Sequence, residues 1–418
     1  MVLSIRMGYK LFILFILLIV IFFIRFETVF NNNKYINKDV IEGVILEEPE
    51  VIGNTQRFTI LGVEVVTGRY PEYGYGNKIK MKVSLQGKQD VKIKTISGRY
   101  FLYYPKIELI EKDNGNVILS WIYQFRKKVV GIYQKVLPEP EASLMSGIVL
   151  GVKTNLPYSF EQSLRNTGTI HVIVASGMNV AFISGFLIYF LNRFINRRKA
   201  ILLSFVGILF YTAFASFQAP IVRASIMIII SFSAQILGRL SFGVLSLVIT
   251  VLVMLFINPY YIFDVGFQLS VLSTFGLIIL QPDIGKINKL KKLFSIPLFG
   301  EGFLTTISVQ VMTLPILIFY FGQVSLLSPL VNGFIVWTVP IIMVFGIAIA
   351  FVGFIFVPVS QIFAIFAFGF LFYFVEVVNF FGTLNFGLLN VSKPSPFFIV
   401  GYYLLLISII LKIKIKNI

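Results

Sequence analysis

Gly168-Thr-Ile-His-Val-Ile-Val-Ala-Ser-Gly-Met-Asn-Val180 opens an apolar run that continues to residue 191. That run is long enough to cross a hydrocarbon core of ordinary thickness. It nevertheless carries the chain's single histidine, His171, followed by Ser176, Gly177 and Asn179. Polar groups are costly inside a bilayer and face the protein interior or a water-filled path. Small residues also let helices approach closely, and Ser, Asn and His bond across spans, so each residue taken alone is more readily read as a packing contact.

Outward from this stretch the same pattern repeats. Apolar runs lie at about 11–24, 200–217, 220–237, 242–257, 264–280, 303–321, 329–356, 359–381 and 396–411. Hydrophobic residues make up 57% and charged residues 13% of the 418 residues, which excludes an ordinary soluble globular chain. The expectation is a polytopic α-helical membrane protein of about ten spans. The first run, Leu11 to Ile24, has Arg6 and Lys10 before it and no small-residue cleavage site after it, so it is read as an uncleaved span.

The acids are unevenly placed. Twelve of the 19 fall between residues 31 and 140, and from Ala142 onward only Glu161, Asp264, Asp283, Glu301 and Glu376 remain. So few ligands speak against metal chemistry within the spans, and the absence of cysteine removes thiolate chemistry. Gly147-Ile-Val-Leu-Gly-Val-Lys-Thr154 lacks the spacing of a phosphate-binding loop, and Gly147 with Gly151 is read instead as a close helix-contact face. No catalytic residue, no metal and no cofactor is expected.

Between the first two spans the composition becomes that of an all-β domain. Lys78-Ile-Lys-Met-Lys-Val-Ser-Leu85 alternates at period two, as a half-buried strand does. Val40–Leu46, Phe58–Val66, Val91–Ile96 and Ile107–Ile110 supply four further candidate strands. Five short strands fit a small barrel of the OB type. Lys78, Lys80 and Lys82 form a row, with Lys92 and Lys94 placed on a neighbouring strand and Tyr73 and Tyr75 close by. Cations interleaved with rings suit a single-stranded nucleic-acid groove, and equally a solvated strand face with Tyr at a membrane interface. Trp121 to Val136 then repeats apolar residues at helical spacing, with Arg126, Lys127, Lys128 and Lys135 on other faces, the pattern of an amphipathic interfacial helix. The expected order is a first span over 1–30, the OB-like domain over 31–117, the amphipathic helix over 118–140 and the multi-span region over 141–418.

Basic clusters orient the spans. With the amino terminus inside, Arg193-Arg197-Arg198-Lys199, Arg239, Lys286-Lys289-Lys291-Lys292 and Lys412-Lys414-Lys416 all become cytoplasmic, and the β domain lies outside. His171, Arg223, Asp264 and Glu376 then share an outer depth. Arg223 is expected to pair with Asp264, and Asp264 and Gln268 to share a helix face. Pro329 to Pro340, with Asn332 between them, reads as a broken helix lining a cavity.

At this point the chain resembles the ComEC competence proteins, membrane channels for DNA uptake. Thr167 to Val180 is similar to the family's Thr-Gly-x-x-His-x-x-Ala-x-Ser-Gly-x-His-Val signature. Gln218 to Ser225 resembles its Arg-Ala segment, Asn258 to Ser270 its Asp-x-Gly-Phe-Gln-Leu-Ser segment, and Leu314 to Pro340 its Pro- and Asn-bearing helix. The resemblance implies an OB-fold domain outside the cytoplasmic membrane and a channel passing one DNA strand inward. His171, Ser176, Asn179, Arg223, Asp264, Gln268, Asn332 and Glu376 would line that channel. It implies as partners single-stranded DNA, membrane lipid, a cytosolic helicase-like motor and a separate nuclease, with assembly as a homo-oligomer. Asn179 stands where the family usually has a second His, and the chain ends without the metallo-β-lactamase-like domain of long members. The competing reading is a secondary transporter of a small solute or lipid, coupled to protons through Glu376 or Asp264.

Overall fold

The computed structural model describes Glu27 and residues 40–82, 92–96, 99–152, 156–173, 176–240, 242–286, 291–384, 387–392 and 394–416. The expected first span over 11–24 lies outside the described residues. The chain divides into two compact units, Met1–Gln124 with Val248–Asp264, and Phe125–Leu247 with Val265–Ile418.

The first unit is built on β1 (Val40–Val44), β2 (Glu50–Ile52), β3 (Thr55–Ile60), β4 (Val63–Gly68), β5 (Lys78–Lys82), β6 (Lys92–Ile96), β7 (Arg99–Tyr103) and β8 (Lys106–Glu111). They form a sheet ordered β1-β5-β8 and another ordered β2-β3-β4-β7-β6. β4 runs parallel to β7, and every other pairing in the two sheets is antiparallel. The chain itself links the two sheets, running from β1 to β2 and from β7 to β8. Ile41, Ile45, Phe58, Ile60, Val63, Val65, Ile79, Met81 and Leu102, drawn from both sheets, form one apolar core. Ile79 and Met81 are fully buried between outward Lys78, Lys80 and Lys82, as the period-two pattern requires.

The single strand expected over 58–66 is instead a hairpin. Leu61 and Gly62 take φ values of 48° and 82° and make a two-residue turn, which sets Ile60 opposite Val63. Both inward rows stay apolar across that turn, which is why the stretch reads as one uninterrupted strand. A buried Gln56 secures the next loop: its amide donates to the carbonyls of Gly68 (2.8 Å) and Pro71 (2.6 Å), and its oxygen accepts from the Tyr73 N–H (3.1 Å).

Helices follow. α1 (Val117–Val136) contains the expected amphipathic stretch, with Ile122, Val129, Ile132 and Tyr133 buried and Trp121 56% exposed. Arg126 departs from the expected polar face: it is buried and donates to the hydroxyl of Ser216. α2 (Glu141–Leu150) is buried along its whole length, and Gly147 is the reason it can be. A Cβ there would stand 2.7 Å from the carbonyl oxygen of Ile173. Gly151 is the left-handed cap of α2, at φ 66°.

α3 (Tyr158–Asn166), α4 (Ile170–Ile173), α5 (Gly177–Leu191), α6 (Arg197–Phe214), α7 (Ala219–Ile236) and α8 (Gly243–Ile257) come next. After a short 3₁₀ turn, Pro259–Phe263, stand α9 (Val265–Ile284), α10 (Lys291–Phe294), α11 (Gly300–Phe321), α12 (Ser328–Ile335), α13 (Thr338–Ile355), α14 (Val357–Gly382) and α15 (Pro396–Lys416). Six segments among the described residues are long and apolar enough to cross a membrane: Ile170–Leu191, Ala219–Ile236, Val265–Ile284, Gly300–Phe321, Thr338–Ile355 and Val357–Gly382. The mostly helical chain is thus a multi-pass membrane protein with an amino-terminal β region. The apolar run 329–356 divides into α12 and α13, and the two residues between them keep helical dihedrals. Pro340 supplies no N–H at the start of α13, so the ladder is interrupted there. A two-stranded ribbon of β9 (Gln323–Ser325) and β10 (Leu388–Asn390) ties the α11–α12 loop to the segment before α15.

Candidate functional site

In the β unit, the lysine row on β5 is flanked by carboxylates. Lys80 stands opposite Glu42 on β1 and Glu108 on β8. Lys78 Nζ lies 3.4 Å from Glu42, and Lys82 Nζ lies 3.9 Å from Glu108. These are exposed pairs of small energetic weight, but they offset part of the positive field a phosphate chain would meet. Lys92 and Lys94 are not on a strand beside β5: β6 pairs with β7 in the other sheet, opposite Tyr103 and Phe101. Position in the chain does not reveal this, because β6 and β7 form a hairpin between β5 and β8. Tyr73 is half-buried edge-on against Phe58 at 5.8 Å, and burial raises its hydroxyl pKa. The Tyr75 ring lies 5.0 Å from that of Tyr123, and its oxygen accepts the Asn116 N–H at 2.9 Å.

In the helical unit the opening motif makes two polar junctions. At the first, Gly168, at φ +68°, turns the chain from α3 to α4 tightly against Ser325 and Ser328. Only a residue without a side chain fits there, since a Cβ would come within 3.0 Å of either serine's Cβ. The hydroxyls of Thr167 and Thr169 meet at 2.8 Å, Ser325 donates to the Asn166 carbonyl at 2.8 Å, and Gln310 donates to the Ser325 carbonyl at 2.9 Å. Asn332 is fully buried and donates to Ser328 Oγ at 3.1 Å, while its Oδ1 has no hydrogen-bond partner among the described residues. His171 is exposed on α4, its Nδ1 2.9 Å from the Gly168 carbonyl.

At the second junction, Ser176 donates to Asn179 Oδ1 at 3.3 Å, and buried Asn179 donates to the Ile148 carbonyl at 2.8 Å, which ties α5 to α2. Gln218 likewise reaches the Gly151 carbonyl at 2.8 Å. Arg223, 7% exposed on α7, donates through Nη1 to the Ser270 carbonyl and the Thr274 hydroxyl of α9. Its guanidinium also abuts Gly177, where a Cβ would stand 3.2 Å from Nη2. Thr212 and Ser225 share a hydrogen bond of 2.7 Å beside it. Three motif stretches distant in sequence therefore meet at one buried guanidinium.

The remaining expected residues are placed otherwise. Asp264 is not on a helix face with Gln268: it closes the 3₁₀ turn in extended conformation, immediately ahead of α9. An acid at that position suits the positive end of a helix. Gln268, in the first turns of α9, has its amide 3.5 Å from the Tyr320 hydroxyl. Glu376 is exposed on α14, and it and Glu139 both lie near enough to Glu141 to repel its carboxylate. Burial raises the Glu141 carboxyl pKa, a backbone hydrogen bond offsets part of this, and those two neighbours add to the rise. Sequence reasoning missed Thr274, Ser325, Ser328, Gln310 and Arg126. The hydroxyls sit singly in apolar helices and carry no pattern. Among the described residues no group of three His, Asp or Glu is gathered to hold a metal ion.

Comparison with known proteins supplies the context. A family model described as "Competence protein" matches residues 148–416. The chain is similar to "ComE operon protein 3" of Bacillus subtilis (strain 168), at 22% identity over 212 residues, which are 50% of this chain and 26% of that protein. It is also similar to an "Uncharacterized protein" of Aquifex aeolicus (strain VF5), at 31% identity over 190 residues, 42% of this chain and 45% of that one. The chain spans less than half the length of these two curated relatives. No solved structure matches.

Proposed function

Because the family match covers more than half of its residues, the chain belongs to the Competence protein family, and from that membership we propose that it passes a single strand of DNA across the cytoplasmic membrane. The observation that carries this reading is the convergence of motif polar groups within the apolar unit: Gly177, Arg223 and Ser270 at one junction, Gly168, Ser328 and Asn332 at the other. Buried polar groups at membrane depth are expensive, and a polar polymer is a substrate that requires them.

In this reading ten spans carry the chain through the membrane, both termini are cytoplasmic, and the β unit lies outside. Four basic clusters on one side support that orientation. The apolar core shared by strands of both sheets supports an OB-type barrel, a fold that holds single strands between cations and rings. Lys78, Lys80, Lys82, Lys92, Lys94, Tyr73 and Tyr75 receive the strand there. His171, Ser176, Asn179, Arg223, Asp264, Gln268, Asn332 and Glu376 line the path beyond, and α1 lies in the headgroup region with Trp121 outward. A cytosolic motor supplies the driving force, a separate nuclease removes the second strand, and the chain works as a homo-oligomer.

The carboxylates on the lysine row favour the competing reading, a transporter of a small solute, which needs no strongly basic receptor. Reconstitution decides between them. The chain in liposomes should protect labelled single-stranded DNA, and not duplex DNA, from added nuclease. Folded protein that neither binds nor protects single strands would leave the transporter.

A further inference from the structure

A groove for a single strand needs rings for the bases as well as cations for the phosphates, and the tyrosines expected to supply the rings are already engaged. Tyr73 is packed edge-on against Phe58, and the Tyr75 ring lies against Tyr123 with its oxygen bonded to the Asn116 N–H. The five-stranded sheet offers another pair. Leu102 on β7 points into the core with Phe58, Val63 and Val65. Successive residues of a strand face opposite ways, so Phe101 and Tyr103 stand on the other face of the sheet. Both are half-buried, and their rings stack at 6.4 Å between centroids with 22° between their planes.

Strand register sets charge around this pair. One row across the sheet runs from Arg57 on β3 through Val66 on β4 and Tyr103 on β7 to Lys92 on β6. The next row sets Glu64 and Lys94 on either side of Phe101. Residues directly opposite one another share a face of a sheet. Arg57 is exposed and Val66 is buried, so the first row carries a cation, a covered valine, a ring and a second cation. At about 4.8 Å per strand, its two cationic positions are roughly 14 Å apart. Glu64, and Glu50 opposite Arg57 on β2, are the acids that share these rows. On β5, by contrast, the cations alternate along one strand and face carboxylates on both neighbours. We propose that this face is a base-stacking surface: Phe101 and Tyr103 take bases of a single DNA strand, and Arg57, Lys92 and Lys94 meet its phosphates. The identity of the strand rests on the function proposed above. A ring that anchors a protein in a bilayer projects from the surface, as Trp121 does at 56% exposure, whereas Phe101 and Tyr103 are half-buried and stacked on each other.

The whole chain in nanodiscs of zwitterionic lipid is titrated with labelled oligothymidylate and with an abasic strand of equal length, which keeps the phosphates and lacks the bases. Phe101→Leu and Tyr103→Leu keep apolar bulk on β7 and remove the ring. Each should weaken binding of oligothymidylate roughly tenfold and leave binding of the abasic strand, and the salt slope, unchanged. Phe101→Trp and Tyr103→Trp, which restore a ring, should bind as wild type does. Lys92→Gln with Lys94→Gln should instead flatten the dependence of log affinity on log salt by about 1.4 for both strands, the value for two phosphates of a single strand. If the leucine variants do not fold, the fluorescence of Tyr103→Trp gives the reading: oligothymidylate should quench its emission beyond that of wild type, and brominated lipid should not. Equal affinity for oligothymidylate in wild type and both leucine variants would overturn the stacking surface, as would wild type that binds the abasic strand equally tightly. The function would stand in either case if the same protein in liposomes still protects single strands from nuclease. Quenching by brominated lipid in place of oligothymidylate would turn the face to the membrane and overturn the surface. Folded wild type that neither binds nor protects single strands would remove the function, and the surface with it.

Discussion

At the scale of single residues, Glu141 shows how burial changes a side chain's chemistry. It begins an otherwise apolar, buried helix, and its carboxyl pKa is raised above the ordinary value of 4.5, first by burial and then by Glu139 and Glu376. A raised folded-state pKa contributes stability when the group is protonated and loses it as pH rises through that value. Glu141→Gln, which stays neutral, should therefore unfold at a higher temperature than wild type near pH 7. The gap should close as pH falls below about 4.5, followed by melting in detergent. A gap that persisted at low pH would refer the effect to packing. Which residues matter was partly legible at this scale. His171, Ser176, Asn179, Arg223 and Asn332 are conspicuous because polar atoms are rare in apolar runs. His171, Asn179 and Arg223 meet the backbone carbonyls of Gly168, Ile148 and Ser270, and a carbonyl leaves no mark in a sequence.

Among the elements, the helices were the most legible, because an apolar run of bilayer length has few other uses. Each run from 169 onward contains a helix, and the exceptions are informative. α2 was legible only through the Gly147 to Gly151 spacing, because periodicity gives no signal for a short helix buried all round. Its burial depends on Gly147. Gly147→Ala should cost about 2 kcal/mol by overpacking against Ile173. Gly131→Ala in α1, which meets no atom within 4 Å, should be neutral or stabilising by up to about 1 kcal/mol. Similar melting temperatures for both variants would contradict the assigned packing. In the β unit the core was legible from alternation, whereas pairing was not, since β5 finds β1 and β8 from far along the chain. That pairing brought Glu42 and Glu108 beside Lys80. If the strand rests on this row, Glu42→Gln with Glu108→Gln should tighten binding of single-stranded DNA several-fold at low salt, by removing two repelling charges. No change in a filter-binding titration would move the strand off β5.

The molecule as a whole has a two-sheet β unit and a helical unit whose rare polar groups meet at two junctions. In the proposed function a strand passes these junctions. The chain has no cysteine, so single thiols can be introduced without background. A strand bearing a thiol-reactive group and stalled in liposomes by a bulky end should cross-link to cysteine at position 176 or 332. It should not cross-link to cysteine at 366, where an exposed phenylalanine of α14 faces outward. Cross-linking at 176 and 332 alone is the result the account predicts. A strand that enters and marks neither position, or marks 366 equally, would contradict it.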